Sequence, residues 1–321
     1  MRILLVADAR TEARLVAAYV AERFASAAVD TAIEVDVLTV VGRGADRRRH
    51  DVDVGAARET ATAANEVAER LRELVAITRI DTHVEQADDA VTAIAAAATH
   101  LHSDVVLLET APHGLVARLR SAGLTRGLLR AAPCAVELIK PFAAAPRSLF
   151  NVLVPIAGDR LADFPLHRLA ALPWPVATRL RLLATLPAAG LELPSETNVL
   201  RVFDSVARSH AAASRTGAVL GEMADELALV FDGAVEVDHA ILDTGGNHAV
   251  LGEAERYRAS LIVTCTAAVS PALDAVASSR DPALRLATAA RCAVLVLRED
   301  VQPARRARAR ARTFSPALVR A

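Results

Sequence analysis

Aromatic residues and long apolar runs are scarce in this chain of 321 residues. Aromatic side chains make up 3% of the sequence, with a single tryptophan, Trp174. No apolar run approaches the ~18 residues that a membrane-spanning helix needs. The opening residues, MRILLVADART, form a strand pattern interrupted by Asp8 and do not resemble a signal peptide. We therefore expect a protein without a membrane segment or a leader.

Cysteine is also rare, and its placement excludes two classes of protein. Cys134, Cys265 and Cys292 show neither a CxxC pair nor the cysteine–histidine spacing of a metal site. Each lies in or beside a strand pattern, which predicts buried, reduced thiols. A disulfide-stabilised secreted protein is disfavoured, and we expect a cytoplasmic protein without a bound metal.

Net charge is nearly absent, because 37 basic and 38 acidic residues leave −1 at pH 7. Six arginines lie in residues 301–321, which contain no acidic residue, so the rest of the chain is acidic. We expect the folded body not to bind nucleic acid or a membrane surface. The basic tail is expected to be disordered, and it is the one segment that could dock on nucleic acid or an acidic partner.

Catalytic motifs are missing too. The sequence contains no GxSxG nucleophile elbow, no GxxxxGK[ST] phosphate loop and no HExxH zinc motif. We therefore expect no enzymatic activity and no catalytic residue. A hydrolase acting on small molecules or nucleotides is the remaining enzymatic alternative, and no motif supports it.

An internal repeat is the most informative feature that is present. The matching segments begin at Arg2 and Asn151, at Ser103 and Ala259, and at Cys134 and Cys292. The spacing between partners grows from 149 to 158 residues, as loop insertions in the second copy would produce. Three strands repeated in the same order predict two tandem domains. We place these domains at residues 1–143 and 149–300, followed by the tail at 301–321.

Apolar strands alternate with helical patterns in each copy, which predicts a parallel sheet covered by helices on both faces. The first copy contains predicted helices at 57–76, 88–101 and 115–131, and its last strand is AVELI at 135–139. Asp88 and Asp89 suit the N-terminus of the second of these helices. In the second copy a long helix is predicted across residues 200–229.

These segments resemble the universal stress protein family over residues 1–300, in tandem form. The resemblance is carried by ILLVADA in the first strand, SDVVLLET in the fourth and LLRAAPCAVELI before and within the fifth. It implies an α/β fold of two doubly wound domains, each with a five-stranded parallel sheet of order 3-2-1-4-5. It also implies dimerisation through the last strands and, in one branch of the family, ATP binding. Other members bind no nucleotide and act as regulatory or stress-survival proteins.

A ligand of such a sheet lies beyond the carboxyl ends of the strands, between strands one and four. The candidate lining in the first copy is Asp8, Ala9, Thr39, Val40, Glu109, Thr110, His113, Gly114 and Gly123. The arginine-rich loop at 42–51 follows the second strand, and it could either hold an anion or be a solvated loop.

The ATP-binding branch carries a loop of Gly, two residues, Gly, nine residues, Gly, and then Ser or Thr. The matching positions are Glu109, Pro112, Ala122 and Gly123 in the first copy, and Cys265, Ala268, Ser278 and Ser279 in the second. The acidic residue that the family directs at the nucleotide is Asp8 in the first copy but Ala157 in the second. Proline lacks an N–H donor, and a carboxylate repels phosphate. We therefore expect no cofactor, with ATP or AMP in the first domain as the alternative.

The sequence thus predicts a non-enzymatic stress-response or regulatory protein that acts on an unidentified protein partner and has degraded nucleotide sites. The alternative is an ATP- or AMP-binding sensor that uses the first crevice. The final strands, at 135–139 and 293–297, are apolar and would be exposed at sheet edges. We expect them to pair within one chain as an internal pseudo-dimer, and a homodimer is a further option.

Overall fold

The computed structural model describes residues 1–8, 11–24, 32–42, 50–74, 77–110, 115–140, 149–186, 199–242, 246–266 and 282–298. The tail at 301–321 and residues 141–148 between the two copies lie outside the described residues. The domain boundaries at 143, 149 and 300 stay a prediction.

Strands and helices alternate along the described chain, as the apolar pattern predicts. The first half contains β1 (Arg2–Val6), α1 (Ala13–Phe24), β2 (Glu34–Gly42), α2 (His50–Leu74), β3 (Arg79–Ala87), α3 (Ala90–His100), β4 (Val105–Glu109), α4 (Leu115–Ala131) and β5 (Ala135–Ile139). The second half contains β6 (Phe150–Ala157), a 3-10 helix (Gly158–Asp163), α5 (Leu166–Ala171), β7 (Thr178–Thr185), α6 (Val199–Phe231), β8 (Val235–Leu242), α7 (Asn247–Arg256), β9 (Leu261–Thr266), α8 (Pro282–Ala289) and β10 (Ala293–Arg298).

The ten strands form one continuous sheet in the order β3-β2-β1-β4-β5-β10-β9-β6-β7-β8. Within each half every neighbouring pair is parallel. Each half, counted along its own chain, therefore has the order 3-2-1-4-5, and the predicted fold class is confirmed.

The two halves meet where β5 and β10 pair in antiparallel fashion. Val136, Glu137 and Leu138 lie opposite Val296, Leu295 and Val294. The predicted pairing of the final strands within one chain is therefore present. It covers two apolar strands that would otherwise form exposed edges.

Helices cover both faces of the sheet and separate the core into two layers. Alternate residues of a strand point to opposite faces, so Ile3 and Leu5 belong to one apolar cluster while Leu4 and Val6 belong to the other. The first cluster packs against α1, α2, α5 and α6. The second packs against α3, α4, α7 and α8. Equivalent helices of the two halves therefore share a face.

The second helix differs most from its prediction. It begins at His50, seven residues before the predicted start at 57, so part of the charged segment at 42–51 is helical. α3 begins as predicted, because Asp89 is its N-cap and accepts hydrogen bonds from the Val91 and Thr92 N–H groups.

Among the described helices, none combines the length and the apolar character that crossing a membrane would require.

Candidate functional site

The candidate site lies at the carboxyl ends of β1 and β4, where the strand order of the first half reverses. Asp8 follows β1 by two residues and is exposed, while Glu109 is the last residue of β4. β1 and β4 are neighbouring parallel strands, so their carboxyl ends meet at one edge of the sheet. The structure therefore brings Asp8 and Glu109 to the place where such sheets bind ligands.

The turn after β1 is closed by its own hydrogen bonds. The Asp8 N–H donates to Thr11 Oγ1 at 2.8 Å, and the Thr11 N–H donates to the Asp8 carbonyl at 3.0 Å. Thr11 Oγ1 also lies 3.3 Å from Asp8 Oδ1. These bonds connect the end of β1 to the residues just before α1, and the next residue, Glu12, lies beside Glu109.

Glu109 acts as an internal anion at the N-terminus of α1. Its Oε2 accepts the backbone N–H of Glu12, the residue before the helix, at 3.0 Å. Burial raises the pKa of Glu109 to about 7, the Glu12 N–H opposes this rise, and the carboxylates of Glu12 and Asp8 add to it. The crevice therefore holds three acidic side chains and gains negative charge as the pH rises through neutrality.

The two threonines of the predicted lining form hydrogen bonds with backbone carbonyls. Thr39 Oγ1 donates to the Ala7 carbonyl at 3.3 Å, and Thr110 Oγ1 donates to the Ile139 carbonyl at 3.1 Å. Both residues are buried. Val40 is partly buried and packs against the second apolar cluster, on the face of the sheet that α3 and α4 cover. None of these three side chains offers a polar group to the crevice.

Of the remaining predicted residues, only Gly123 is among those that the structure describes. Ala9, His113 and Gly114 lie outside the described residues, as does Pro112 of the glycine-loop pattern. Gly123 lies within α4, about 12 Å along the axis from its first residue at 1.5 Å per residue. An added Cβ at Gly123 would meet open space.

The matching edge of the second half lacks both carboxylates, because Ala157 and Cys265 take the places of Asp8 and Glu109. Ala157 ends β6 and is exposed, and Cys265 is near the end of β9. A Cβ on the next residue, Gly158, would lie 3.2 Å from Leu186 Cδ2 and 3.3 Å from the Thr185 carbonyl oxygen. A side chain at this position would therefore require its neighbours to shift by a few tenths of an ångström. Ala268, Ser278 and Ser279 lie outside the described residues.

A buried polar cluster at the joint was not predicted from the sequence. The Tyr19 hydroxyl donates to Glu137 Oε1, and Arg23 Nε lies 3.5 Å from the same oxygen. All three side chains are fully buried. Burial, and then the charge of Glu137, raise the pKa of Tyr19. The one signal in the sequence is an acidic residue inside the otherwise apolar strand AVELI.

Lys140 is a second buried charge beside the joint. Its Nζ donates to the Ala287 carbonyl of α8 at 2.6 Å, and burial lowers its pKa to about 8. The lysine thereby ties the end of β5 to a helix of the second half. Among the residues that the structure describes, no three His, Cys, Asp or Glu side chains are grouped so as to hold a metal ion.

The fold described above, in which two doubly wound halves join at their last strands into one sheet, is shared with universal stress proteins. A universal stress protein from Archaeoglobus fulgidus DSM 4304 matches with a TM-score of 0.53 and 16% identity, over 92% of this chain and 96% of its own. A putative universal stress protein from Pseudomonas aeruginosa UCBPP-PA14 matches with a TM-score of 0.54 and 18% identity, over 94% of each chain.

A functionally unknown protein from Pseudomonas aeruginosa PAO1 matches equally well, with a TM-score of 0.55 and 17% identity over 94% of this chain and 93% of its own. Neither family models nor curated proteins match the sequence. The structural likeness extends over nearly the whole chain, and at these identities it concerns the fold.

Proposed function

We propose that this chain is a non-enzymatic stress-response or regulatory protein of the universal stress protein type. It acts through contacts with another protein, and its crevices no longer take up a nucleotide. The fold likeness over nearly the whole chain supports the class of protein. The lack of catalytic motifs in the sequence supports a role without an enzymatic step.

The position of the Glu109 carboxylate carries the proposal. It accepts the Glu12 N–H at the start of α1, where backbone donors and the helix dipole would otherwise attract an anion. A phosphate placed here would lose that charge-assisted hydrogen bond, which is worth about 1.5–3 kcal/mol. It would also meet the negative charges of Glu109 and Asp8. Nucleotide affinity should fall by a factor on the order of 10 to 100 from the lost bond alone.

Calorimetric titration with Mg-ATP tests the proposal. We expect no measurable binding by the unmodified chain at pH 8, where Glu109 is ionised. The double variant Glu109→Gly with Pro112→Gly restores the glycines of the family's loop and should bind. Glu69→Gln, which removes a negative charge from an exposed position in α2, serves as the control and should behave like the unmodified chain.

The ATP- or AMP-binding sensor is the outcome that would replace this proposal. Low-micromolar binding of Mg-ATP or AMP by the unmodified chain at pH 8 would establish it. Failure of the double variant to bind, with its fold intact by circular dichroism, would mean that features other than Glu109 and Pro112 close the site.

A further inference from the structure

The joint between the halves is built around an unlike pair of residues. Aligning the two Cys-Ala-Val motifs makes Leu295 the counterpart of Glu137. The structure places these two residues directly opposite each other. The flanking pairs, Val136 with Val296 and Leu138 with Val294, exchange counterparts across the joint. A local two-fold axis therefore passes between Glu137 and Leu295.

The first half holds the charge of Glu137 with two side chains of α1. Tyr19 donates its hydroxyl to Glu137 Oε1, and Arg23 provides the opposite charge 3.5 Å away. Arg23 and Glu137 are 0% and 1% exposed. A buried carboxylate of this kind is tolerated only with such partners, because desolvation of an unpaired charge costs several kcal/mol.

The second half completes the surroundings of Arg23. Nη1 of Arg23 donates to the Pro173 carbonyl. The guanidinium carbon lies 4.6 Å from the ring centroid of Trp174 and 5.9 Å from that of Phe150. The residue of the first half that matches Phe150 is Met1, which has no ring. A second copy of the first half would therefore not supply the same partners.

We propose that Glu137 makes the β5 surface specific for the chain's own β10 and excludes pairing with β5 of a second copy. In a β5–β5 joint of the same register, two Glu137 side chains would face each other with Cβ atoms about 5 Å apart. Both carboxylates would be buried, and each Arg23 would lose the Pro173 carbonyl and the two aromatic rings. The β5–β10 joint avoids this arrangement because Leu295 takes the place of the second carboxylate.

Substitution of Leu295 tests, inside the native joint, whether two facing carboxylates are unfavourable. Leu295→Glu creates the carboxylate pair, and its unfolding equilibrium constant should rise on the order of a hundredfold. Leu295→Gln introduces a side chain of the same shape as glutamate but without its charge. At pH 8 it should raise the unfolding equilibrium constant clearly less than Leu295→Glu does. The difference between the two variants should disappear when Glu137 is also changed to Gln. Urea unfolding followed by the fluorescence of Trp174, the single tryptophan, measures all four chains.

Exchange of the two residues sharpens the result. Glu137→Leu combined with Leu295→Glu keeps one carboxylate in the joint, so it should be more stable than Leu295→Glu alone. Equal stability of Leu295→Glu and Leu295→Gln in the unmodified background would overturn the proposal.

Association gives an independent readout. Arg23→Met with Glu137→Leu removes the buried charges, and this variant should form additional dimers when refolded at high protein concentration. Light scattering after size-exclusion chromatography measures the mass, with the unmodified chain under the same protocol as the reference. A variant with unaltered circular dichroism and no added association at any concentration would contradict the proposal. If this variant fails to fold, the comparison of Leu295→Glu with Leu295→Gln still tests the proposal.

Discussion

The two halves share a backbone but carry opposite charges on their outer strands. Arg2 pairs in register with Glu34, and its counterpart Asn151 pairs with Arg179. The second strand of each half is thus acidic in the first half, at Glu34 and Asp36, and basic in the second, at Arg179 and Arg181. Each faces the opposite sign on the neighbouring edge strand. The same backbone is therefore compatible with either sign on the second strand.

The ends of the third helices differ in side chain but not in geometry. His102 and Arg258 follow α3 and α7 with φ of 53° and 52°. The Arg2 guanidinium donates to the Leu101 carbonyl at 3.1 Å, and the Asn151 amide donates to the Tyr257 carbonyl at 3.0 Å. Two chemically different side chains thus satisfy the same carbonyl at the helix C-terminus. Backbone geometry is shared between the halves, while side-chain chemistry diverges.

Among the substitutions that distinguish the two halves, we expect the largest loss of stability at Arg181. It donates two hydrogen bonds to Asp238 and one to the buried Glu253, and it lies over the Tyr257 ring at 4.3 Å. Arg181→Ala should lower the free energy of unfolding by about 2–3 kcal/mol. Arg179→Ala, which breaks an exposed pair, should cost under about 1 kcal/mol. Urea denaturation compares the two, and equal losses would contradict the prediction.

A charge exchange on the first half should have a smaller effect. Glu34 contacts both Arg2 and Arg79, so Glu34→Arg should cost about 1 kcal/mol by bringing three cations together. Adding Arg79→Glu gives the new arginine an acidic partner, as in the second half, but it also takes the cation away from Asp36 and Asp81. The double variant should therefore recover only part of that loss. A double variant as unstable as the single one would show that the sign is fixed. Thermal unfolding at low salt is the measurement.

The Glu109 carboxyl predicts a pH effect that the second half should lack. Its folded-state pKa of about 7 exceeds the ordinary value of 4.5, so the folded state holds the proton more tightly. The stability this provides is present below pH 4.5 and is lost as the pH rises to about 7. Since the group is partly exposed, we expect about 1 kcal/mol at most. Relative to Glu109→Gln, the unmodified chain should lose stability between pH 4.5 and 7.

The smallest effect concerns the starts of the third helices. α3 has the side-chain cap Asp89, whereas α7 follows Gly246, with φ of 110° and no side-chain cap. Hydrogen bonds from Thr92 and Val91 lower the pKa of Asp89, so its contribution exists above about pH 4 and is lost at lower pH. Asp89→Ala should lower the Tm slightly at pH 7 and not at pH 2. Asp88→Ala, one residue outside the cap, should leave the Tm unchanged at both.

Much of the fold could be predicted because the residues that a helix or strand buries recur at regular intervals in the sequence. β5 and α4 have the bounds that their apolar patterns predict, at 135–139 and 115–131. The start of α2 could not be located, because residues 50–56 carry acidic and small residues without an apolar period. Without such a period, the sequence does not distinguish the first turns of a helix from the loop that precedes them.

The candidate site was predictable in position but not in chemistry. The strand order places Asp8 and Glu109 at one edge, yet the bond from Glu12 to Glu109 depends on the turn at Asp8 and Thr11. The buried cluster at the joint escaped prediction altogether, because Tyr19 and Glu137 are separated by 118 positions in the chain. A pattern within a short stretch of sequence cannot predict a contact between residues so far apart. An acidic residue in an apolar strand marks the position, but it does not name the partner.

The antiparallel pairing of β5 with β10 also determines where the two crevices open. Every other neighbouring pair is parallel, so the carboxyl ends of the strands in the two halves point in opposite directions. A molecule seated in one crevice is therefore out of reach of the other. A substitution at one carboxyl edge therefore has no direct steric consequence for the other. This separation gives a physical route by which an edge with Asp8 and Glu109 and an edge with Ala157 and Cys265 in their places could arise on a single sheet.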